Sequence, residues 1–264
     1  MSALDDDWRA DLDAVDAVLI DEYQSGFPVA ERPFRVVADD LGVTEAAALD
    51  RVCRLRDRGV FRRFGAVLNP PVIGSSTLAA VSAPEGRFES VAETINSYRQ
   101  VNHNYRRDHE WRDSILAEIE AETGCEVLAL PMLTDYYIDL EFPVVNNDAF
   151  ARESVAATDA SATRISEDAA AGLSELDAAL LVEIQDGFPL SATPYRDVAD
   201  AIDADVDDVV AAVDRLLADG CIKRIGCVVN HVVTGFDANC MVVWDVPDDE
   251  LDARGEAVGQ LPYV

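Results

Sequence analysis

GFPVAERPFRVVADDLGV, residues 26–43, returns as GFPLSATPYRDVADAIDA at residues 187–204. Gly26 maps on Gly187, Pro28 on Pro189, Pro33 on Pro194, Arg35 on Arg196 and Ala38 on Ala199, all at an offset of 161. The register continues through Arg54 and Arg215, Gly59 and Gly220, Arg63 and Arg224, Gly65 and Gly226, and Asn69 and Asn230. After a two-residue slip, VSAP at 81–84 aligns with WDVP at 244–247. A repeat this long fixes the architecture as two copies of one unit. Between them runs a stretch rich in Ala, Ser, Asp and Glu with no apolar period (146–172), expected as a flexible acidic linker.

Outward from the repeat, each copy opens with three helical patterns. In the first, Leu12, Val15, Leu19 and Tyr23 form one stripe at helical spacing over 12–25. A short helix follows Pro33, and Thr44 caps a third that stops at Gly59. In the second copy Ser174 and Asp177 resemble a capping box. The alternating runs VFRRFGAVLN and CIKRIGCVVN read as strands of a small wing, completing a winged helix-turn-helix. Beyond it, STLAAVSAP reads as a strand, RFESVAETINSY as a helix, VNHNYRRDHEW as a partial strand, RDSILAEIEAETG as a helix and DYYIDLEFPV as a last strand. That is a ferredoxin-like βαββαβ plan lacking one strand, where the chain passes from Trp111 straight into helix.

The expected fold is therefore α+β, a tandem repeat of winged helix-turn-helix followed by ferredoxin-like domain. Its parts are a winged helix-turn-helix over 1–70, a ferredoxin-like domain over 71–145, the linker over 146–173, a second winged helix-turn-helix over 174–235, and the start of a second ferredoxin-like domain over 236–264. The second copy reads as truncated, since Val264 aligns with Val101.

Composition narrows the function classes. Fifty-one acidic residues against 21 basic ones give a formal charge of −30, and Lys223 is the single lysine. Such a surface repels itself and nucleic acid in dilute salt, whereas molar salt shortens the Debye length to about 3 Å. A halophile's cytoplasm is the expected setting. No apolar run approaches the roughly 20 residues of a membrane span, and the acidic start MSALDDDWRA lacks a signal-peptide core. Cys53, Cys125, Cys221, Cys227 and Cys240 are scattered without a C-x-x-C pair, which argues against a zinc site or a disulfide framework.

Two of the three histidines lie in VNHNYRRDHEW, residues 101–111. If this is a strand, alternation gathers His103, Tyr105, Arg107 and His109 on one face. The residues alone leave this face open between a ligand-binding floor and an ordinary interface. His231 stands where the first copy has Pro70 and is expected to be a surface histidine.

A winged helix followed by a ferredoxin-like domain resembles the Lrp/AsnC regulators. The motifs GFPVAERPF at 26–34, FRRFGAVLN at 61–69 and HNYRRDH at 103–109 resemble a non-regulatory branch, the sirohaem decarboxylases, in which two such units pair or fuse in one chain. The resemblance covers 12–142 apart from the missing strand, and 174–264. It implies non-oxidative removal of carboxyl groups from two acetate side chains of sirohaem, giving didecarboxysirohaem on a route to haem or haem d1. His103, Tyr105 and His109 are then the expected catalytic residues, His103 as proton donor because a histidine titrates near neutrality. Arg107, with Arg106 and Asn104, is expected to hold substrate carboxylates, since guanidinium pairs with carboxylate in bidentate fashion. Arg63 and Arg224 are further substrate-binding candidates, or else recur because the fold needs them. No organic cofactor and no resident metal are expected, because the macrocycle is the electron sink and iron enters with the substrate.

The competing reading is a transcription regulator with a small-molecule effector. A recognition helix needs net positive character. The first candidate carries Arg51, Arg54, Arg56 and Arg58 against Glu45, Asp50 and Asp57; the second carries five aspartates against Arg215. DNA binding is therefore not expected, and pairing of the two halves or self-association is.

Overall fold

The computed structural model describes residues 6–74, 77–98, 109–131, 134–135, 144–145, 163–164, 172–235 and 241–259. These form two compact units. One combines the chain up to Val67 with everything from Glu175 on, and takes in Val144 and Val145; the other is built on Leu68–Asp135.

The first unit begins with a 3-10 turn at Asp6–Arg9 and helix α1, Ala14–Glu22. A capping box at Asp13 and Asp16 starts α1 two residues later than the apolar stripe suggests. Helix α2, Pro33–Leu41, has proline in its first turn and ends on Gly42 in the left-handed conformation, φ 66°. Helix α3, Glu45–Asp57, is capped by Thr44, whose hydroxyl accepts from the Ala47 amide at 3.2 Å. Leu19, Ile20, Phe34, Val37, Val52 and Leu55 are fully buried between the three helices. Strand β1, Phe61–Leu68, comes directly after them.

In the second unit a short helix α4, Pro70–Ile73, leads to strand β2, Thr77–Val81, helix α5, Phe88–Ser97, helix α6, His109–Thr123, and strand β3, Val127–Pro131. β2 and β3 pair antiparallel, from Thr77 opposite Pro131 to Val81 opposite Val127. The two-residue strands β4, Thr134–Asp135, and β5, Thr163–Arg164, pair likewise. Two sequence expectations change here. The strand that completes the ribbon is Val127–Pro131, passed over because it follows the helical run so closely. The expected last strand, 135–144, falls mostly outside the described residues. β5 also lies inside the stretch expected as linker; its pairing uses backbone groups and needs no apolar period.

The first unit then resumes with α7, Glu175–Ile184, α8, Pro194–Ala201, α9, Val206–Ala218, strand β6, Ile222–Val229, and α10, Leu251–Gly259. The bounds of α9 and β6 lie 161 residues beyond those of α3 and β1. The wing expectation is corrected by what these strands do. Neither copy makes a hairpin of its own from these strands; β1 and β6 pair with each other. A single strand leaves both edges unsatisfied, and the repeated strand of the other copy supplies a partner of matching pattern.

The seam between the copies is reciprocal. The Phe27 amide donates to the Ile225 carbonyl at 3.0 Å, and the Phe188 amide to the Phe64 carbonyl at 2.8 Å. Phe27 meets Phe34 and Phe64 edge to face at 5.3 and 4.5 Å, Phe34 and Phe64 are tilted at 5.5 Å, and the cluster continues through Phe188 to Tyr195. Gly65 allows this approach, since a Cβ there would lie 2.6 Å from the Gly187 Cα. Residues 241–247, which align with β2 and the three residues after it, carry no strand, and Met241, Val242, Val243 and Trp244 are exposed.

Candidate functional site

Of the residues expected to carry chemistry, His103, Asn104, Tyr105, Arg106 and Arg107 lie outside the described residues. His109 is described in backbone only, as the first residue of α6. That corrects its place on a strand face beside His103: residues 109–111 are helical, because the apolar period of the SILAEIEAET run extends back through Trp111 rather than stopping at Arg112.

The frame on either side of the histidine segment is well defined. Tyr98 is the C-cap of α5, with its amide donating to the Ile95 carbonyl at 3.1 Å. Its hydroxyl donates to Glu122 Oε2 in the last turn of α6 at 2.6 Å, a bond that pushes the phenol up to about 12. Arg87, the residue before α5, donates to the Thr123 carbonyl at 2.8 Å. Helix α5 is therefore tied at both ends to the final turn of α6.

Arg63 and Arg224 stand at the seam between copies. Each donates its Nη1 to a carbonyl just past the first helix of the other copy: Arg63 to Gln185 and Arg224 to Gln24. Cationic donors suit carbonyls left open at a helix C-terminus. Burial lowers the Arg63 basicity, and the Arg224 charge lowers it further, partly offset by Asp186. So the repeat of these arginines has a structural basis in the pairing of the halves.

The arginines of the third helix are engaged within the first copy. Arg54 holds both carboxylate oxygens of buried Asp16 at 2.6 and 2.7 Å, and Arg51 bridges Asp16 and Asp13 at 2.8 and 2.7 Å. The Arg51 guanidinium, together with the Asp16 backbone amide that donates to the Asp13 carboxylate at 3.0 Å, lowers the Asp13 carboxyl to about 2. Arg56 pairs with Asp57 at 2.7 Å, and Arg58 donates to the Trp8 and Ala10 carbonyls, both at 2.8 Å. In the second copy Arg215 reaches buried Asp177, the counterpart of Asp16. This duplicated carboxylate–arginine pair was missed in the sequence, though the matching offsets of Asp16 with Asp177 and Arg54 with Arg215 carried the signal. His231 sits half-buried in the turn after β6, where its carbonyl accepts from the Thr234 hydroxyl at 3.2 Å.

Among the described residues no cluster of His, Cys, Asp and Glu could hold a metal ion, and no helix is long and apolar enough to cross a membrane.

The family described as "Siroheme decarboxylase NirDL-like HTH domain" matches residues 16–62 and 177–222, one match in each copy. The chain is 33% identical over 267 residues to the siroheme decarboxylase NirDL subunit of Paracoccus denitrificans, covering 96% of this chain and 78% of that protein. Over 146 residues it is 42% identical to the NirD subunit of Pseudomonas aeruginosa, covering 50% of this chain and 97% of that one. In fold it is similar to a crystal structure of the siroheme decarboxylase NirDL, with a TM-score of 0.59 at 18% identity over 94% of this chain and 74% of that one. The same fold in co-complex with an iron-uroporphyrin III analogue gives 0.57 at 18% identity, over 92% and 72%.

Proposed function

The chain belongs to the siroheme decarboxylase family, and from that premise we propose that it is a carboxy-lyase acting on sirohaem. The observation that carries the choice of enzyme over regulator is the engagement of Arg51, Arg54, Arg56 and Arg58 with partners of their own copy. A recognition helix whose cations are bound to carboxylates and carbonyls within the fold has little to offer a phosphate backbone. The net charge of −30 works in the same direction.

In the proposed reaction an acetate side chain of sirohaem loses carbon dioxide. The bond to the carboxylate breaks, its electron pair passes into the macrocycle, and a proton takes the vacated position, leaving a methyl group. His103 supplies that proton, with Tyr105 and His109 as the other catalytic side chains, while Arg107, Arg106 and Asn104 hold the remaining carboxylates. Arg63 and Arg224 contribute positive charge where the two copies meet. Two such events give didecarboxysirohaem, a precursor of haem or haem d1. No organic cofactor takes part, and the iron belongs to the substrate.

The finer architecture proposed with it is a helix-turn-helix part at 1–70 and 174–235, each lending one strand to a shared pair, ferredoxin-like parts at 71–145 and 236–264, and a linker at 146–173. Pairing of the halves is supported by the β1–β6 seam. Self-association through the exposed face of Leu78, Leu128 and Leu130 on the β2–β3 ribbon is a further expectation, read by light scattering in molar salt. The setting is a cytoplasm rich in salt.

Anaerobic incubation with sirohaem in molar salt, with product mass as the readout, tests the reaction. Loss of two carbon dioxide units, reduced in His103→Ala, supports it. Sirohaem bound but unchanged points to a sensor. Absence of binding, with salt-tolerant retention of DNA, supports the regulator.

A further inference from the structure

We infer that Asp21 and Arg9 form a releasable latch on the first copy, holding Val144–Val145 as a strap that opens together with the turn Asp6–Arg9. Both amides of the strap donate to one carboxylate oxygen, Val144 to Asp21 Oδ1 at 2.8 Å and Val145 at 3.1 Å. Arg9 Nη2 donates to the Val144 carbonyl at 3.0 Å, with its Cζ 4.9 Å from the centre of the Trp8 ring. Arg58, at the end of α3, holds the turn itself through the Trp8 and Ala10 carbonyls, both at 2.8 Å. Arg9 is thus the link between turn and strap. Val144 is only 1% exposed, so its amide and carbonyl both need partners, and the latch supplies both.

Two observations separate this role from support of the helices. Asp21 stands in the last turn of α1, where the negative end of the helix dipole disfavours a carboxylate. The helix alone therefore gains nothing from that residue type. In the second copy the positions of Asp21 and Arg58 are Val182 and Asp219, neither able to make these bonds. Yet α7 and α9 form in the same register, and Leu180 is as fully buried as its counterpart Leu19. Three helices of this pattern thus fold without a latch, which lets the latch open on its own. Its bonds join charged side chains to neutral backbone groups, so they depend less on ionic strength than ion pairs do.

Hydrogen exchange of the full chain in molar salt, read by peptide mass, compares wild type, Asp21→Ala, Asp21→Asn and Arg9→Ala. Asp21→Ala is expected to speed exchange about ten-fold in the peptide holding Val144 and Val145, and about three-fold from Asp6 to Leu12. Leu12 reports on the turn, since its amide donates to the Arg9 carbonyl at 3.3 Å. Peptides from α2, α3, α8, α9 and the shared strands are expected to stay unchanged, with the melting temperature within about 2 °C of wild type. Arg9→Ala is expected to free both segments likewise, and Asp21→Asn, whose amide oxygen still accepts, to keep most of the protection. Unchanged exchange at Val144 and Val145 in Asp21→Ala overturns the latch. Faster exchange there with Asp6–Leu12 unmoved overturns the joint opening. Faster exchange spread through α2 and α3 overturns its independence and makes Asp21 part of the helical core. The reaction proposed above stands apart from all three outcomes.

Discussion

Arg63 donates to the Gln185 carbonyl, and Arg224, its counterpart in the repeat, returns the same bond to Gln24. Each half of the chain thereby closes the end of the other half's first helix. Such exchange of equivalent contacts is the signature of an isologous interface, here built within one polypeptide.

Loss of either arginine should loosen that seam. A hydrogen bond to a charged donor contributes about 1.5–3 kcal/mol, and Arg63→Ala and Arg224→Ala should each destabilise by an amount near the lower end, since both side chains keep partial access to water. Lysine should restore less than half of the loss, because one ammonium lacks the planar fork. Urea denaturation in molar salt measures it. Unchanged midpoints in both alanine variants would show that the strand pairing and the aromatic cluster hold the halves without these bonds.

The glycines at the seam make a sharper test. A Cβ on Gly65 would sit 2.6 Å from the Gly187 Cα and 3.1 Å from the Phe188 amide nitrogen, and one on Gly226 would press on the backbone of Tyr23 and Gln24. Backbone cannot swing aside as a side chain can. Gly65→Ala and Gly226→Ala should therefore each cost about 2 kcal/mol or more, whereas Gly172→Ala, with open space around it, should be neutral or slightly stabilising. Equal melting temperatures for all three would contradict the close approach.

The buried carboxylates should respond unequally. Asp16 has both Arg51 and Arg54, while in the second copy the position of Arg51 is Ala212. Arg54→Ala leaves Asp16 one guanidinium and should cost about 1 kcal/mol. Arg215→Ala leaves Asp177, with 4% of its side chain exposed, without that arginine, and should cost about 3 kcal/mol. Thermal unfolding of the two variants orders them; the reverse order would mean that Asp177 is served by its helix N-terminus instead.

Acid should act partly through Asp13. Its carboxyl is lowered from the usual 3.8 to about 2, so the folded state binds this proton less readily than the unfolded one. The stabilisation is complete above about pH 4 and is lost as pH falls toward 2. Half of the side chain is exposed, so salt screens the effect and it should be small in molar salt. Asp13→Asn should flatten the fall in melting temperature between about pH 4 and 2; an identical slope would assign the acid response to other carboxylates.

The helices were legible because their signals are local. Pro33, Thr44, Gly42 and Gly59 punctuate the first copy where the structure turns, and the offset of 161 carried that reading to the second. His109 was misplaced because alternation over a few residues cannot be told from the start of a helix whose apolar period lies downstream. Val127–Pro131 was passed over because a short apolar strand is recognised by its partner, and Thr77–Val81 lies some fifty residues earlier in the chain.

Sequence by itself determined the duplication, the three-helix pattern of each copy and the family, because all three are written in residue order and spacing. Tertiary structure decided which groups meet across the repeat. It turned two presumed wings into one shared pair of strands, spent the arginines of the third helix on carboxylates and carbonyls, and gave Arg63 and Arg224 to each other's helices. Those outcomes depend on which donors and acceptors remain unsatisfied once the local elements have formed, and that is settled in three dimensions.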